Sequence, residues 1–279
     1  MKRVLAVLLL LALAVPVLGY VNATAGPVVR RANVAFQRWP ADTPPVRVAL
    51  LADLHIQGPD LSPERMARIA AQVNAQRPDL ILIAGDFSGD RALRTRLYSE
   101  AEIAASLKSL KAPLGVYAVL GNHDHWRDGP AMQRAVTAAG IPVLANRAVR
   151  AGPLTIAGID DIHTRNADVE GLVRSTAALP GPTVVLSHSP DIVPLLPPRF
   201  GLVLAGHTHC GQIVLPLIGR FATASRYGER YACGMVREAG RTTIVSAGIG
   251  SSVLPLRFGA PPDFWIVTMG PLAPAASPR

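Results

Sequence analysis

Cysteine is scarce in this chain: Cys210 and Cys233 are the only two among 279 residues. A disulfide framework therefore cannot be what holds the fold together, although one bridge between the two remains open to a chain in an oxidising compartment. The same scarcity argues against a structural zinc site built from a thiolate cluster. Blocks of like charge are absent too. The formal net charge is +9, from 28 basic and 19 acidic residues, which suits an anionic partner such as phosphate, a phospholipid surface or nucleic acid. The cations stand singly or in pairs such as Arg30 with Arg31. They form no runs interleaved with aromatics, and that argues against nucleic acid. There is no internal repeat.

What is present is apolar bulk, 49% hydrophobic residues. At roughly 150 residues per domain, this length fits one large domain behind a short leading segment. In that segment Lys2 and Arg3 precede an apolar run over residues 4–19, and Ala23, Thr24 and Ala25 supply the small residues that a signal peptidase reads. The run falls a little short of the roughly 20 residues of a spanning helix, with Tyr20 and Val21 placed to sit at an interface. Residues 1–25 are expected to be an export signal or a retained membrane anchor, leaving the rest of the chain outside the cytoplasm. A domain over residues 44–270 and a loose tail over 271–279, rich in Pro and Ala, complete the expected organisation.

From Pro44 onward, short β-rich runs alternate with amphipathic stretches. Buried strands are expected over 46–52, 80–84 and 116–120. The first intervening helix is capped by Ser62, carries Pro63 in its first turn, and sets Met66, Ile69, Ala70 and Val73 on one stripe. A second is expected over 99–111, with Ile103, Leu107 and Leu110 inward. The second half is richer in strands, over 154–159, 183–186, 202–205, 213–217, 242–246 and 264–269. Five strand ends carry metal-competent residues: Asp53 and His55; Asp86; Asn122, His123 and Asp124; His188; His207 and His209. Ligands collect outside the carboxyl ends of strands in α/β sheets, so these five junctions can converge on one crevice.

Taken in order, Asp53-Leu54-His55, Gly85-Asp86, Gly121-Asn122-His123-Asp124, His188 and Gly206-His207-Thr208-His209 resemble the calcineurin-like metallophosphoesterase superfamily. Its pattern runs D-x-H, G-D, G-N-H-(D/E), H, G-H-x-H, and the match spans roughly residues 46–209. The segments 206–212, 246–250 and 254–257 are similar to a membrane-associated bacterial branch with an N-terminal hydrophobic segment. In that branch Gly commonly follows the second His of G-H-x-H, so Cys210 is a departure.

The resemblance implies a four-layer α/β/β/α sandwich of two mixed sheets with helices outside. It implies that Asp53, His55, Asp86 and His209 hold one metal ion and Asp86, Asn122, His188 and His207 the other, with Asp86 bridging. His123 would be the general acid or transition-state stabiliser and Asp124 would orient it. The reaction implied is attack on a phosphate ester by a metal-bound hydroxide.

The residue types fit that chemistry. Two divalent ions bring +4 and the carboxylates Asp53 and Asp86 return −2, so the centre stays positive and attracts phosphate. Asn122 supplies a neutral oxygen where a third carboxylate would quench that field. The mixed N and O donor set suits Mn, Fe, Zn or Co. Gly85, Gly121 and Gly206 let the chain bend so that the next side chain reaches the ion.

Arg226, Arg230 and Arg257 are candidates for phosphate contact by charge and position, although each reads first as a surface residue; His125 reads first as a core or surface histidine, with the cleft wall as the alternative because it lies two residues past His123. His163 reads as a core or surface histidine and Asp90 as a loop or capping residue. A basic, membrane-proximal enzyme suggests a lipid-linked or envelope phosphodiester or pyrophosphate. The alternatives are a phosphomonoesterase or protein phosphatase, and a non-catalytic metal-binding scaffold of the same fold.

Overall fold

The computed structural model of the chain describes residues 2–238 and 240–272. In chain order the first half runs α1 (Lys2–Thr24), β1 (Val28–Phe36), β2 (Val46–Leu51), α2 (Pro63–Ala75), β3 (Leu80–Ala84), α3 (Glu100–Leu107), β4 (Val116–Val119) and α4 (Asn122–Ala138). The second runs β5 (Arg147–Ala151), β6 (Leu154–Gly158), α5 (Val169–Thr176), β7 (Thr183–Leu186), β8 (Leu202–Ala205), β9 (Val214–Leu215), β10 (Gly219–Arg220), β11 (Gly234–Glu238), β12 (Arg241–Val245) and β13 (Asp263–Pro271). A five-stranded sheet has the order β1-β13-β2-β3-β4, a six-stranded one the order β11-β12-β8-β7-β6-β5, and β9 and β10 pair as a hairpin.

Both sheets are mixed. β2, β3 and β4 are parallel while β13 runs antiparallel to β2, and β6, β7, β8 and β12 are parallel between antiparallel edges.

The period-two alternation of each strand builds the layers. Val48, Leu50, Leu80 and Leu82 point one way and join Val184, Leu186, Leu202 and Leu204 of the other sheet in a core between the two. Their neighbours Ala49, Leu51, Ile81 and Ile83 point the other way, onto Met66, Ile69 and Val73 of α2, Ile103 and Leu107 of α3, and Met132 and Val136 of α4. On the far side, Val185 and Val203 pack on Leu172 of α5 and on Ile192, Val193 and Phe200. The result is the expected α/β/β/α sandwich. Both faces of the central strands are buried, which is why they read as continuous apolar runs. Each fully buried Leu or Ile there contributes roughly 1.5–3 kcal/mol.

Local signals set α2 and α3, although α3 ends at Leu107, four residues short of the expected 111. Ser62 Oγ accepts from Arg65 N at 3.3 Å ahead of Pro63, and Ser99 and Glu102 form a reciprocal capping box. Elsewhere the structure adds elements that the apolar pattern does not announce. β1 pairs in parallel with β13 from Val28 to Phe36, so the sheet begins well before Pro44. As an edge strand carrying Arg30, Arg31 and Asn33, β1 lacks a clean alternation. α4 starts at Asn122 itself; a kink at Asp128, just before Gly129 and Pro130, hides its helical period.

α1 continues through the expected cleavage stretch, and its last turns dock on the body. Ala23 is buried, Arg257 N donates to Gly19 O at 2.9 Å, and Tyr20 Oη donates to Pro59 O at 3.1 Å. Among the described residues, no helix is long and apolar enough to cross a membrane; several side chains between Val4 and Leu13 lie outside those described. The expected loose tail is strand at Pro271, and its residues 273–279 lie outside the described ones.

Candidate metal centre

The parallel strands β2, β3 and β4 of one sheet and β7 and β8 of the other end at the same edge of the sandwich. Each chain leaves its strand in a turn tied to its neighbour: Asp53 N donates to Gly85 O at 3.1 Å, His55 N to Asp86 O at 2.8 Å, and Gly206 N to His188 O at 2.9 Å. Asp53, His55, Asp86, His207 and His209 all adopt left-handed backbone, with φ between 44° and 69°. For side chains with a Cβ this is a strained conformation held in place by the surrounding packing, and such strain clusters at functional sites.

The three glycines before the ligands are needed for different reasons. Gly85 has φ 79°. Gly121 and Gly206 do not have positive φ; a Cβ there would lie 2.2 Å from Asp86 Oδ1 and 2.3 Å from Asp53 Oδ2. They make room for the carboxylates, in addition to turning the chain.

The seven residues expected as ligands lie together, and the described donors fall into three groups, one of them His55, Asp86 and His123. In the first, Asp53, His55 and His209 bring their donor atoms together, with His55 Nε2 and His209 Nε2 3.1 Å apart and His209 Nε2 3.7 Å from Asp53 Oδ1. In the second, Asp86 joins His188 and His207; His188 Nε2 lies 3.0 Å from His207 Nδ1 and 3.0 Å from Asn122 Oδ1. Asp86 Oδ2 stands between the sets, 3.4 Å from His55 Nε2 and 3.3 Å from His188 Nε2.

The outer partners of the histidines orient their rings. His188 Nδ1 donates to Ala84 O at 2.7 Å and His207 Nε2 to Ala224 O at 3.0 Å, which turns His188 Nε2 and His207 Nδ1 toward the pocket. Burial, opposed by Asp86, pushes the His55 imidazole down to about 3, and burial with neighbouring histidines depresses His207 and His209. Burial lowers His188, but the Asp86 charge outweighs it and raises that imidazole to about 10, so in the ion-free chain a proton stands where a cation would, among neutral imidazoles and carboxylates crowded around common points. A pair of divalent cations satisfies that donor set.

His123 sits at the mouth of this pocket. Its Nδ1 lies 2.6 Å from Asp90 Oδ1 and its ring meets Trp126 edge-on at 4.8 Å. The expectation for Asp124 is corrected. Its carboxylate accepts from Ser88 N at 2.9 Å, Ser88 Oγ at 3.1 Å and Gly121 N at 3.0 Å, so it ties the β3 and β4 loops together and is fully occupied away from the His123 ring. Asp90, read from sequence as a loop residue, is the carboxylate that contacts His123. Its position four residues past Asp86 in the same loop was the available signal.

Arg257 is corrected too. It is fully buried and donates to Ala247 O, Gly250 O and Ala260 O at 2.6–2.9 Å behind His209, out of reach of a substrate. Arg230 pairs with Glu238 at 2.6 Å. His163, read as a bystander, stacks on His207 with centroids 4.2 Å apart and has Nε2 3.0 Å from Ser189 Oγ. His125 pairs with Asp160 at 2.8 Å beside the site. Cys210 and Cys233 are joined in a disulfide.

A cleft of about 620 Å³ opens over His123 and His207. Its apolar lining comes from Trp126, Ile213, Phe221, Val253 and Leu254.

Carboxylates, an amide and imidazoles gathered at one edge of an α/β/β/α sandwich define a metal-dependent phosphoric ester hydrolase. The family model for calcineurin-like phosphoesterases matches residues 46–211, and the chain belongs to that family. It is 34% identical over 214 residues to the metallophosphoesterase YkuE of Bacillus subtilis, covering 74% of this chain and 73% of that protein. It is 29% identical over 278 residues to a "transmembrane protein with metallophosphoesterase domain" of Danio rerio, covering 93% of this chain but only 60% of that protein. Among solved structures, a 5'-nucleotidase precursor from Thermus thermophilus is similar with a TM-score of 0.48 and 16% identity, over 80% of this chain and 55% of that one.

Proposed function

We propose that the chain is a dinuclear-metal phosphodiesterase or pyrophosphohydrolase acting on a lipid-linked or envelope phosphate. The observation that carries this reading is the cleft: its floor is polar, with Asp86, Asn122, His123 and His207, and one wall is apolar, with Ile213, Phe221, Val253 and Leu254. An amphiphile would set its phosphate on the floor and its apolar part against the wall.

Asp53, His55, Asp86 and His209 would hold one ion and Asp86, Asn122, His188 and His207 the other. The mixed N and O donor set fits Mn, Fe, Zn or Co. When bound, such a pair polarises phosphoryl oxygens and makes water a nucleophile at neutral pH. His123 gives its proton to the leaving oxygen, and Asp90, accepting from Nδ1, stabilises the charged imidazolium. Asp124 acts through the loops it joins.

The Cys210–Cys233 disulfide supports an oxidising, extracytoplasmic compartment. The docked end of α1 supports retention of residues 1–25 as an anchor: Arg65 donates to Ala25 O at 2.9 Å and would have to release that stretch for cleavage. On this reading the catalytic body starts at β1, ahead of Pro44.

The test is turnover of bis-p-nitrophenyl phosphate against p-nitrophenyl phosphate by the purified chain with Mn²⁺. The diester should be hydrolysed much faster. The opposite preference removes the diesterase reading, and metal uptake without turnover of either ester restores the non-catalytic scaffold.

A further inference from the structure

Two tips beside the cleft hold apolar side chains in the open. At the turn of the β9–β10 hairpin Leu217 is fully exposed and Ile218 is at 73%; at its base Phe221 is at 83%, and Val253 in the neighbouring loop is at 75%. Leu217 has φ 67° and Val253 φ 28°. A bulky or β-branched residue at positive φ is strained, so these side chains are displayed at a double cost, in backbone strain and in hydration.

The tips are continuous with α1. Val214 N donates to Phe258 O at 2.8 Å. The Phe258 ring lies so close to Gly19 of α1 that a Cβ there would be 2.7 Å from it. Gln212 Nε2 donates to Leu254 O at 2.9 Å, which ties the hairpin to the Val253 loop.

We infer that the β9–β10 tip, the Val253 loop and the end of α1 form one surface that docks on an anionic phospholipid bilayer and sets the cleft mouth at its interface. A protein partner covers one face of a helix, whereas the run over 4–18 is apolar all round; its described side chains Val15, Val17 and Leu18 are about half exposed or more. Only lipid matches such a segment on every side. Tyr20, Arg65 and Arg68 line a cavity of about 460 Å³ where α1 meets α2. Arg65 is held on the carbonyls of Asp60, Ala23 and Ala25, so the exposed Arg68 beside the Tyr20 ring is the cation free to meet an anionic headgroup. The inference deepens the lipid-linked reading of the site, and the test separates the two.

The full chain is floated with vesicles of phosphatidylglycerol and phosphatidylethanolamine carrying brominated acyl chains, and Trp emission is read against the unsubstituted chain. The added emission of Leu217→Trp should shift to the blue and be quenched. That of Leu272→Trp should be unaffected, since it follows β13, which runs antiparallel to β2 and ends away from Asp53. Failure to float, or equal quenching at the two positions, or none at Leu217, overturns the inference.

Replacing Leu217 and Ile218 together by Asp should lower hydrolysis of a vesicle-embedded phospholipid diester about tenfold, a modest fraction of what burying two such side chains is worth. Hydrolysis of soluble bis-p-nitrophenyl phosphate should be unchanged. Equal vesicle activity of this variant and the parent would refute placement of the cleft by the tip. Failure of the unsubstituted chain to hydrolyse the soluble diester would sink the proposed function and leave the quenching result standing.

Discussion

Leu82 and Leu204 lie between the two sheets, wholly buried in regular strand among other aliphatic side chains. Just past the ends of the same strands, Asp86 and His207 are held at φ 53° and 69° in a pocket of carboxylates and imidazoles. The two regions share a backbone and obey opposite rules. The inter-sheet core gains from apolar burial with every backbone group in its ladder. The edge spends that stability on left-handed turns and on desolvated charge, because ligands must converge before any ion arrives. Rigid strands let the edge be strained without being mobile.

The sharpest way to break the comparison is Asp86→Ala. One carboxylate stands between both ligand sets, so both metals and turnover should be lost together, by more than the roughly 10²–10³-fold that a single transition-state donor accounts for. Elemental analysis beside diester hydrolysis reads the two losses. Retention of one full metal equivalent would show that Asp86 serves only one set.

Leu82→Ala probes the other region. A cavity between the sheets should cost about 2–5 kcal/mol in denaturant unfolding, while the protein that remains folded keeps its metal content. A fall in metal content at equal folded fraction would mean that the edge is not insulated from the core.

The disulfide spans 23 positions and encloses the hairpin. Replacing Cys210 and Cys233 by Ser should destabilise the chain by about 3 kcal/mol through loop-closure entropy, read as a lower Tm, with turnover of the soluble diester retained at low temperature.

The smallest expected effect is a pH slope. Burial first, and the Asp86 charge second, raise the Asp124 carboxyl from 3.8 to about 6. Burial, partly offset by His188, raises Asp53 to about 7. A carboxyl raised on folding contributes stability that is complete below the unfolded pKa and lost as pH rises through the folded one. Because the depressed imidazoles of His55, His207 and His209 add stability as pH rises over the same range, the readout is a difference: the Tm of the metal-free parent minus that of Asp124→Asn should fall between about pH 4 and pH 6. A difference that rises over the same interval would show Asp124 to be better paired than its burial implies.

Much of the architecture was legible in residue order. The apolar runs at β2, β3, β7 and β8 announced buried strands, and Ser62 with Pro63 announced α2. β1 escaped because an edge strand in parallel pairing with the chain's last strand needs no apolar alternation. α4 escaped because Asp128 to Pro130 interrupt its period. In the site, the seven expected ligands carry their own signal: unusual donors directly after strands. Asp90 and His163 carry none of that kind, since their partners His123 and His207 come from distant stretches of the chain.

By itself, the sequence determined which donors exist, that they follow strands, and that alternate residues would layer two sheets, because periodicity and strand-end position are local properties of the chain. Tertiary structure alone decided that Asp90 meets His123 while Asp124 clasps two loops, that Arg257 is buried behind His209, and that α1, the hairpin and the Val253 loop share one surface. The reason is geometric: where a side chain points is set by the segments packed around it, and those are remote from it in residue order.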